Sequence, residues 1–261
     1  MTSPSRTFAV LNLFTEEHSV WHTDEINEAL GYTRATGYRY VKDLVDAGFL
    51  QKVSAGRYAL GTRIIELDYL LRRTDPVLLA AAPVMAELSR RTKLDTVMSA
   101  MYGMKVVDTY RAGSNASLTL AYGRGRPRPL FRGAAPKVII ACLPRAQLVR
   151  IHDKHAKEIA EHGLGDTWAA FRDAMAEIRE QGFYLSRGEL EPEVDAAAVP
   201  VFDAEGSVLA SLALVGSRSE LDAFGERRLH TLLSKAAGDT RDALRASHAA
   251  QGLAPPAQNP R

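Results

Sequence analysis

Two short amphipathic segments joined by a tight turn, followed at once by a pair of short strand-like runs, restrict the first sixty residues to very few architectures. Thr23 is a good N-cap, and Asp24 and Glu25 put negative charge in the first helical turn, where the helix dipole favours it. Ile26, Ala29 and Leu30 then form an apolar face that Gly31 ends. A second helix starts at Thr33, with Val41, Leu44 and Val45 as its buried stripe and Gly48 as its stop. Two short helices with a three- or four-residue turn between them make a helix-turn-helix pattern. Before them, Phe8, Val10, Leu11 and Phe14 recur at helical spacing, and His18 to His22 carry the chain through a brief extended stretch. After them, FLQKVSAGRYAL reads as a hairpin about Ala55-Gly56. Three helices and a hairpin predict a winged helix.

Charge is divided along this region in a way that the formal net charge of +2 conceals. Thr7 to Thr33 carries five acidic residues and no lysine or arginine, whereas Arg34 to Ile65 carries six basic residues against Asp43 and Asp46. The basic half contains the second helix of the motif, which enters the DNA major groove in this architecture, and the hairpin, where Lys52 and Arg57 would meet phosphate. Double-stranded DNA is therefore the expected partner, with a winged-helix protein-interaction module as the alternative.

Thr62 to Arg73 is amphipathic, with Ile64, Ile65, Leu67, Leu70 and Leu71 on one side, and reads as a linker helix that buries its stripe against something. Asp75-Pro76 starts another helix. From Thr96 the period changes to two: TVMSAMY, a Gly103-Met104 turn and KVVDTYR form a hairpin. GAAPKVIIACL, Arg145 to His162 and Trp168 to Glu180 are helical, FYLSR, DAAAVPVFD and SVLASLALVG are strands, and Ala223 to Ala246 makes a closing helix. The second domain is thus an α+β fold with an antiparallel sheet of about five or six strands. The expected boundaries are 5–61 for the winged helix, 62–74 for the linker helix, 75–248 for the second domain and 249–261 for a polar, proline-rich, disordered tail.

Composition excludes several classes. Hydrophobic residues at 46% and charged residues at 25% are globular values. Cys142, the single cysteine, forbids an intrachain disulfide, which fits a reducing compartment. The longest apolar stretch, Val77 to Ala86, is far short of the roughly 20 residues needed to span a bilayer, and the amino terminus has no signal-peptide pattern. A cytoplasmic protein without membrane contact is expected. Catalytic and cofactor signatures are absent: Cys142 lies in the apolar run VIIACL with no nameable base, Tyr122-Gly123-Arg124-Gly125 lacks the context of a dinucleotide fingerprint, and no phosphate loop or metalloprotease motif occurs. His152 and His155, at i and i+3, fit surface positions better than a metal site. Arg124-Gly125-Arg126-Pro127 spells the core of a minor-groove AT-hook, yet its place inside a folded domain favours a solvent loop. No enzyme, cofactor or metal is expected.

LGYTRATGYRYVKDLVDAGFL, the preceding RTFAVLNLF and the following GRYALG resemble the amino-terminal domain of the IclR family of bacterial transcriptional regulators, and PLFRGAAPKVIIA and AVPVFDAEGSVLASLALVG resemble its effector-binding domain. The similarity runs from about Ser5 to Ala246. It implies a winged-helix domain, a linker helix that dimerises, a GAF-like ligand domain, and a homodimer or homotetramer on operator DNA. It also implies that Thr36 and Arg39 are recognition-helix residues, with Arg34, Ala35 and Tyr38 as variable neighbours; Thr33 at the helix start and the basic residues Lys42, Lys52 and Arg57, placed by the charge pattern, complete the expected DNA-facing set. Gly37 departs from the usual apolar residue and costs roughly 1 kcal/mol of helix propensity, which predicts a recognition helix that orders fully only on DNA. The implied effector carboxylate sits near backbone amides of Gly133, Ala134 and Ala135, with Pro136 removing one donor. Ser186, Ala196, Ala213 and Val215 correspond to polar positions of the family sheet, and Glu189 matches a frequent family acid. With Leu118, Leu120 and Tyr122 these residues define a mostly apolar pocket suited to an aromatic or short-chain carboxylate rather than a sugar acid.

Overall fold

The computed structural model describes residues 3–113 and 123–251. The chain divides into two compact units, residues 1–75 and 76–261. In the first, α1 (Ser3–Ala9) runs into a 3-10 turn (Val10–Leu13), followed by β1 (Trp21–His22), α2 (Thr23–Leu30), α3 (Arg34–Asp46), β2 (Leu50–Ser54), β3 (Arg57–Leu60) and α4 (Arg63–Thr74). Val10, Ile26, Tyr40, Val41, Leu44, Leu50 and Tyr58 form its core. The strands pair antiparallel in the order β1-β3-β2, so the hairpin is a wing braced by β1.

The cap of α2 is His22, not Thr23. Its Nδ1 accepts from the Asp24 amide at 3.2 Å while Glu25 Oε2 accepts from the His22 amide at 2.7 Å, a reciprocal capping box. Thr23 is instead buried, its amide donating to the Gly56 carbonyl at 3.1 Å. That bond ties the helix start to the wing tip, so Thr23 is taken by tertiary structure. Thr33 does cap α3, its Oγ1 accepting from the Thr36 amide at 3.4 Å.

Gly37 also differs from its sequence expectation. α3 is continuous through it, and a Cβ at this position would lie 1.5 Å from Asn27 Oδ1. Gly37 leaves room for the Asn27 side chain of α2, whose atoms are the nearest that a Cβ would meet, and it marks a packing contact rather than a weak point in the helix.

The second unit contains α5 (Pro76–Thr92), β4 (Asp95–Tyr102), β5 (Lys105–Ala112), β6 (Pro127–Arg128), α6 (Ala134–Ala141), α7 (Arg145–Glu161), α8 (Trp168–Gln181), β7 (Tyr184–Arg187), β8 (Asp195–Phe202), β9 (Val208–Gly216), α9 (Arg218–Asp222) and α10 (Glu226–Gln251). Six described strands form one antiparallel sheet in the order β6-β5-β4-β9-β8-β7. Helices cover both faces. Val97, Ala198, Ala213 and Val215 point into the cluster with α6, α7 and α8, and their neighbours Ala197, Val199, Leu212 and Leu214 into the cluster with α5 and α10. Burial on both sides explains why β9 reads as an unbroken apolar run.

The closing helix expected over Ala223 to Ala246 is α10, which starts three residues later, and a short helix not expected from the sequence, α9, precedes it. Ser217 and Glu220 cap α9 reciprocally, and Gly225, at φ 73°, breaks the chain before α10 starts at Glu226. α10 continues to Gln251, so residues 249–251 are helical and not part of a tail; the remainder of the expected tail lies outside the described residues. Among the described residues no helix is long and apolar enough to cross a membrane.

Candidate DNA interface and effector site

One side of α3 faces the core through Gly37, Tyr40, Val41 and Leu44. The other presents Arg34, Ala35, Tyr38, Arg39 and Lys42, all exposed, in two rows spaced by four residues that make a single helical face. Thr33 and Thr36 sit at its amino-terminal edge, their hydroxyls 2.9 Å apart. No acidic residue lies in the first turn of α3. The Arg39 guanidinium lies over the Tyr40 ring at 5.2 Å, which pre-orders a long side chain at the edge of this face. On the wing, Lys52 and Arg57 are exposed, and a bulge between Lys52 and Ser54 bends β2. The turn needs Gly56, whose φ is 68° and whose added Cβ would fall 2.3 Å from His22 Nε2.

α4 buries none of its residues within the chain. Ile64, Ile65, Leu67, Tyr69, Leu70 and Leu71 all remain exposed, Ile65 to 68%. Among the described residues of its own unit, nothing covers the stripe.

At the implied effector site the structure describes Gly133, Ala134, Ala135, Ser186, Glu189, Ala196, Ala213 and Val215, whereas Leu118, Leu120 and Tyr122 lie outside the described residues. Gly133 caps α6 at φ 85°, and Pro136 occupies the first turn, where a missing amide costs least. Ala213 and Val215 are packed in the core cluster with α6, and Ala196 lies at its margin. Ser186 donates to the Ala196 carbonyl at 3.4 Å.

The polar focus of this region is one that sequence reasoning assembled only in part. The Gly133 amide donates to Glu189 Oε2 at 2.8 Å, Lys137 Nζ donates to the same oxygen at 2.7 Å and to Tyr184 Oη at 2.8 Å, and Tyr184 Oη donates to Glu189 Oε1 at 2.9 Å. Lys137 is 4% exposed, and its ammonium also lies 4.5 Å from the centre of the Tyr184 ring. Burial pushes the Tyr184 phenol up, against the pull of Lys137. Lys137 and Tyr184 were missed as site residues; the available signal was a lone lysine inside an otherwise apolar helix. The Glu189 backbone is pinned by Arg132, whose Nε donates to its carbonyl at 2.7 Å. Just upstream, the Gly188 amide donates to Asp195 Oδ1 at 2.9 Å, and Arg187 Nη1 and Arg218 Nε reach Asp195 Oδ2 at 2.8 and 3.3 Å. Burial of Asp195 raises its carboxyl, but these guanidiniums and the amide outweigh it and hold the group below the ordinary range.

The remaining motifs have structural places. Arg124 donates to the Thr109 carbonyl and Arg128 grips Asp108 with two bonds of 2.6 and 2.7 Å, so the RGRP segment is anchored to β5. His152 packs on Trp168 and Phe171, and His155 packs on Phe131 and lies 3.1 Å from Glu158. Burial raises the Cys142 thiol, which suits an inert side chain.

Two family models cover most of the chain: the IclR helix-turn-helix domain matches residues 3–54 and the bacterial transcriptional regulator IclR C-terminal domain matches residues 71–241. The regulator XynR of Escherichia coli is 29% identical over 222 residues, spanning 84% of this chain and 88% of its own, and KdgR of the same organism is 27% identical over 216, spanning 82% and 81%. Among solved structures, a putative IclR regulator from Silicibacter sp. TM1040 covers all of both chains with a TM-score of 0.76 at 24% identity. An IclR homologue from Microbacterium hydrocarbonoxydans complexed with 4-hydroxybenzoate covers 94% of this chain and all of its own, with a TM-score of 0.68 at 20% identity. The relatives are named as regulators of transcription, not as enzymes. A winged helix with a basic, solvent-facing second helix, joined to a helix-covered antiparallel sheet, and matched over nearly its whole length by these models, makes this chain a member of the IclR family of DNA-binding transcriptional regulators.

Proposed function

We propose that this regulator binds an inverted-repeat operator as a homodimer, or a pair of dimers, and that a small organic acid held near Gly133 changes its operator affinity. In this reading residues 5–61 bind DNA, residues 62–74 dimerise, and residues 75–248 sense the effector. The observation that carries it is the face of α3, where Arg34, Ala35, Tyr38, Arg39 and Lys42 point to solvent from a helix anchored in the core on its opposite side. The exposed stripe of α4 supports dimerisation, since six large apolar side chains left in water call for a second copy. The apolar side chains of Ala196, Ala213 and Val215 beside α6 favour an aromatic or short-chain carboxylate over a sugar acid, and the homologue with bound 4-hydroxybenzoate is consistent with that class. The ligand controls DNA binding by favouring one arrangement of the two DNA-binding domains over another.

Fluorescence anisotropy with operator-length duplexes at several salt concentrations tests the first half. Binding should depend on sequence and weaken steeply with salt as phosphate counterions are released. Arg39→Ala should cost more than Lys52→Ala, because a bidentate base contact is worth about 1 to 3 kcal/mol whereas the wing lysine adds a point charge. Equal, weak affinity for every duplex would sink the proposal.

A further inference from the structure

The place assigned to the effector's acid group already holds a carboxylate. Glu189 accepts from the Gly133 amide at the start of α6 and from the buried Lys137 ammonium, which are the two donors an incoming acid would use. Resting on the effector reading above, we propose that Glu189 is a built-in stand-in for the effector's carboxylate: an acid ligand binds by exchange, taking Gly133 and Lys137 while the Glu189 side chain turns away.

Charge makes exchange the favourable route. The Lys137–Glu189 pair is neutral, so a second carboxylate added beside it would place an uncompensated negative charge in a largely desolvated site. Exchange keeps one anion on one cation. The two partners are not equally sequestered: the Lys137 side chain is 5% exposed and that of Glu189 25%, so the acid is the member with a path to water. The geometry lets it leave alone. Arg132 holds the Glu189 carbonyl and Asp195 holds the Gly188 amide, so the backbone stays fixed and the carboxylate can move by side-chain rotation. Tyr184 donates to Glu189 and accepts from Lys137, and its hydroxyl can donate to the replacing carboxylate in the same way. The class of ligand follows: a monoanionic carboxylate whose head matches a glutamate side chain, with the body free to be aromatic or aliphatic.

Chemical rescue tests the exchange without knowledge of the natural effector. In the full-length protein, Glu189→Ala leaves Lys137 without its counterion, and the thermal midpoint should fall. Acetate should restore it in a concentration-dependent way, acetamide should not, and the wild type should respond to neither at the same concentrations. Glu189→Gln keeps the size and an acceptor for Gly133, so it serves if the alanine variant does not fold. By calorimetry both variants should bind benzoate roughly tenfold or more tightly than the wild type, the order of one pKa unit of charge interaction, with benzamide affinity unchanged. Equal protection by acetate and acetamide, or benzoate affinity no higher in either variant than in the wild type, would overturn the exchange. Operator binding measured on the same proteins keeps the outcomes apart: sequence-specific binding that responds to an acid, without any gain in the variants, rejects the role of Glu189 and leaves the regulator reading standing.

Discussion

Two helices of this chain, α4 and α6, are opposites in what they do with charge and apolar surface. α4 buries none of its twelve residues although its sequence carries a well-formed apolar stripe, whereas α6 buries all eight, including a lysine. The contrast teaches that an amphipathic pattern states which face wants cover but not what supplies it. For α4 the described residues of its own unit supply no cover, and the proposed dimer would provide it. For α6 the cover is complete, and the cost passes to Lys137, which needs an internal counterion because a buried unpaired ammonium is expensive.

The sharpest way to break this comparison is to remove the counterion. Glu189→Ala should lower the unfolding free energy by about 3 kcal/mol, the low end for breaking a buried pair because Glu189 is partly exposed. Lys137→Met should cost less, since the carboxylate left behind can turn to water; chemical denaturation of both variants measures the asymmetry, and equal losses would place the two groups in equivalent surroundings. At α4 the effect should fall on assembly instead. Ile65→Glu should weaken self-association by about 2 kcal/mol, comparable with fully burying one such side chain, and sedimentation should show monomer at concentrations where the wild type is dimeric, with the thermal midpoint of the monomer unmoved.

A smaller effect tests how the winged helix is packed. Gly37→Ala should destabilise, because the new Cβ collides with the Asn27 side chain. The pair Asn27→Ala with Gly37→Ala should instead gain up to about 1 kcal/mol of helix propensity over Asn27→Ala alone. A gain from Gly37→Ala by itself would mean that Asn27 simply rotates aside. The smallest effect concerns pH. Against its burial, Arg187, Arg218 and the Gly188 amide hold the Asp195 carboxyl below the ordinary carboxylate range in the folded chain, so its contribution is complete above the unfolded value and is lost as the pH falls through the folded one. Asp195→Asn should therefore flatten the decline of the thermal midpoint below about pH 4 without changing its trend between pH 6 and 8.

Much of the architecture is local in origin and was readable as such. The start of α3 at Thr33, the wing turn at Ala55-Gly56 and the Gly103-Met104 hairpin each depend on a few neighbouring residues whose backbone preferences agree with the fold. The exposed α3 face was legible too, because a 3.6-residue period separates Val41 and Leu44 from Arg34, Tyr38 and Lys42. Where the reading failed, the deciding contact was distant in sequence. Thr23 lost the cap of α2 because its amide and hydroxyl face Gly56, thirty-three residues on. Gly37 makes room for the Asn27 side chain on the preceding helix.

The candidate effector site shows the same division most clearly. Local sequence places a glycine before an apolar helix, a single lysine inside that helix, and a glutamate after the strand FYLSR. That Gly133, Lys137, Tyr184 and Glu189 meet is a product of packing, because α6 and the end of β7 are about fifty residues apart in the chain and are brought together by burial of α6 against β8 and β9. Apolar burial is non-directional and sets which faces meet; hydrogen bonds and charge, which act over a few ångströms, then fix which polar groups must be partners.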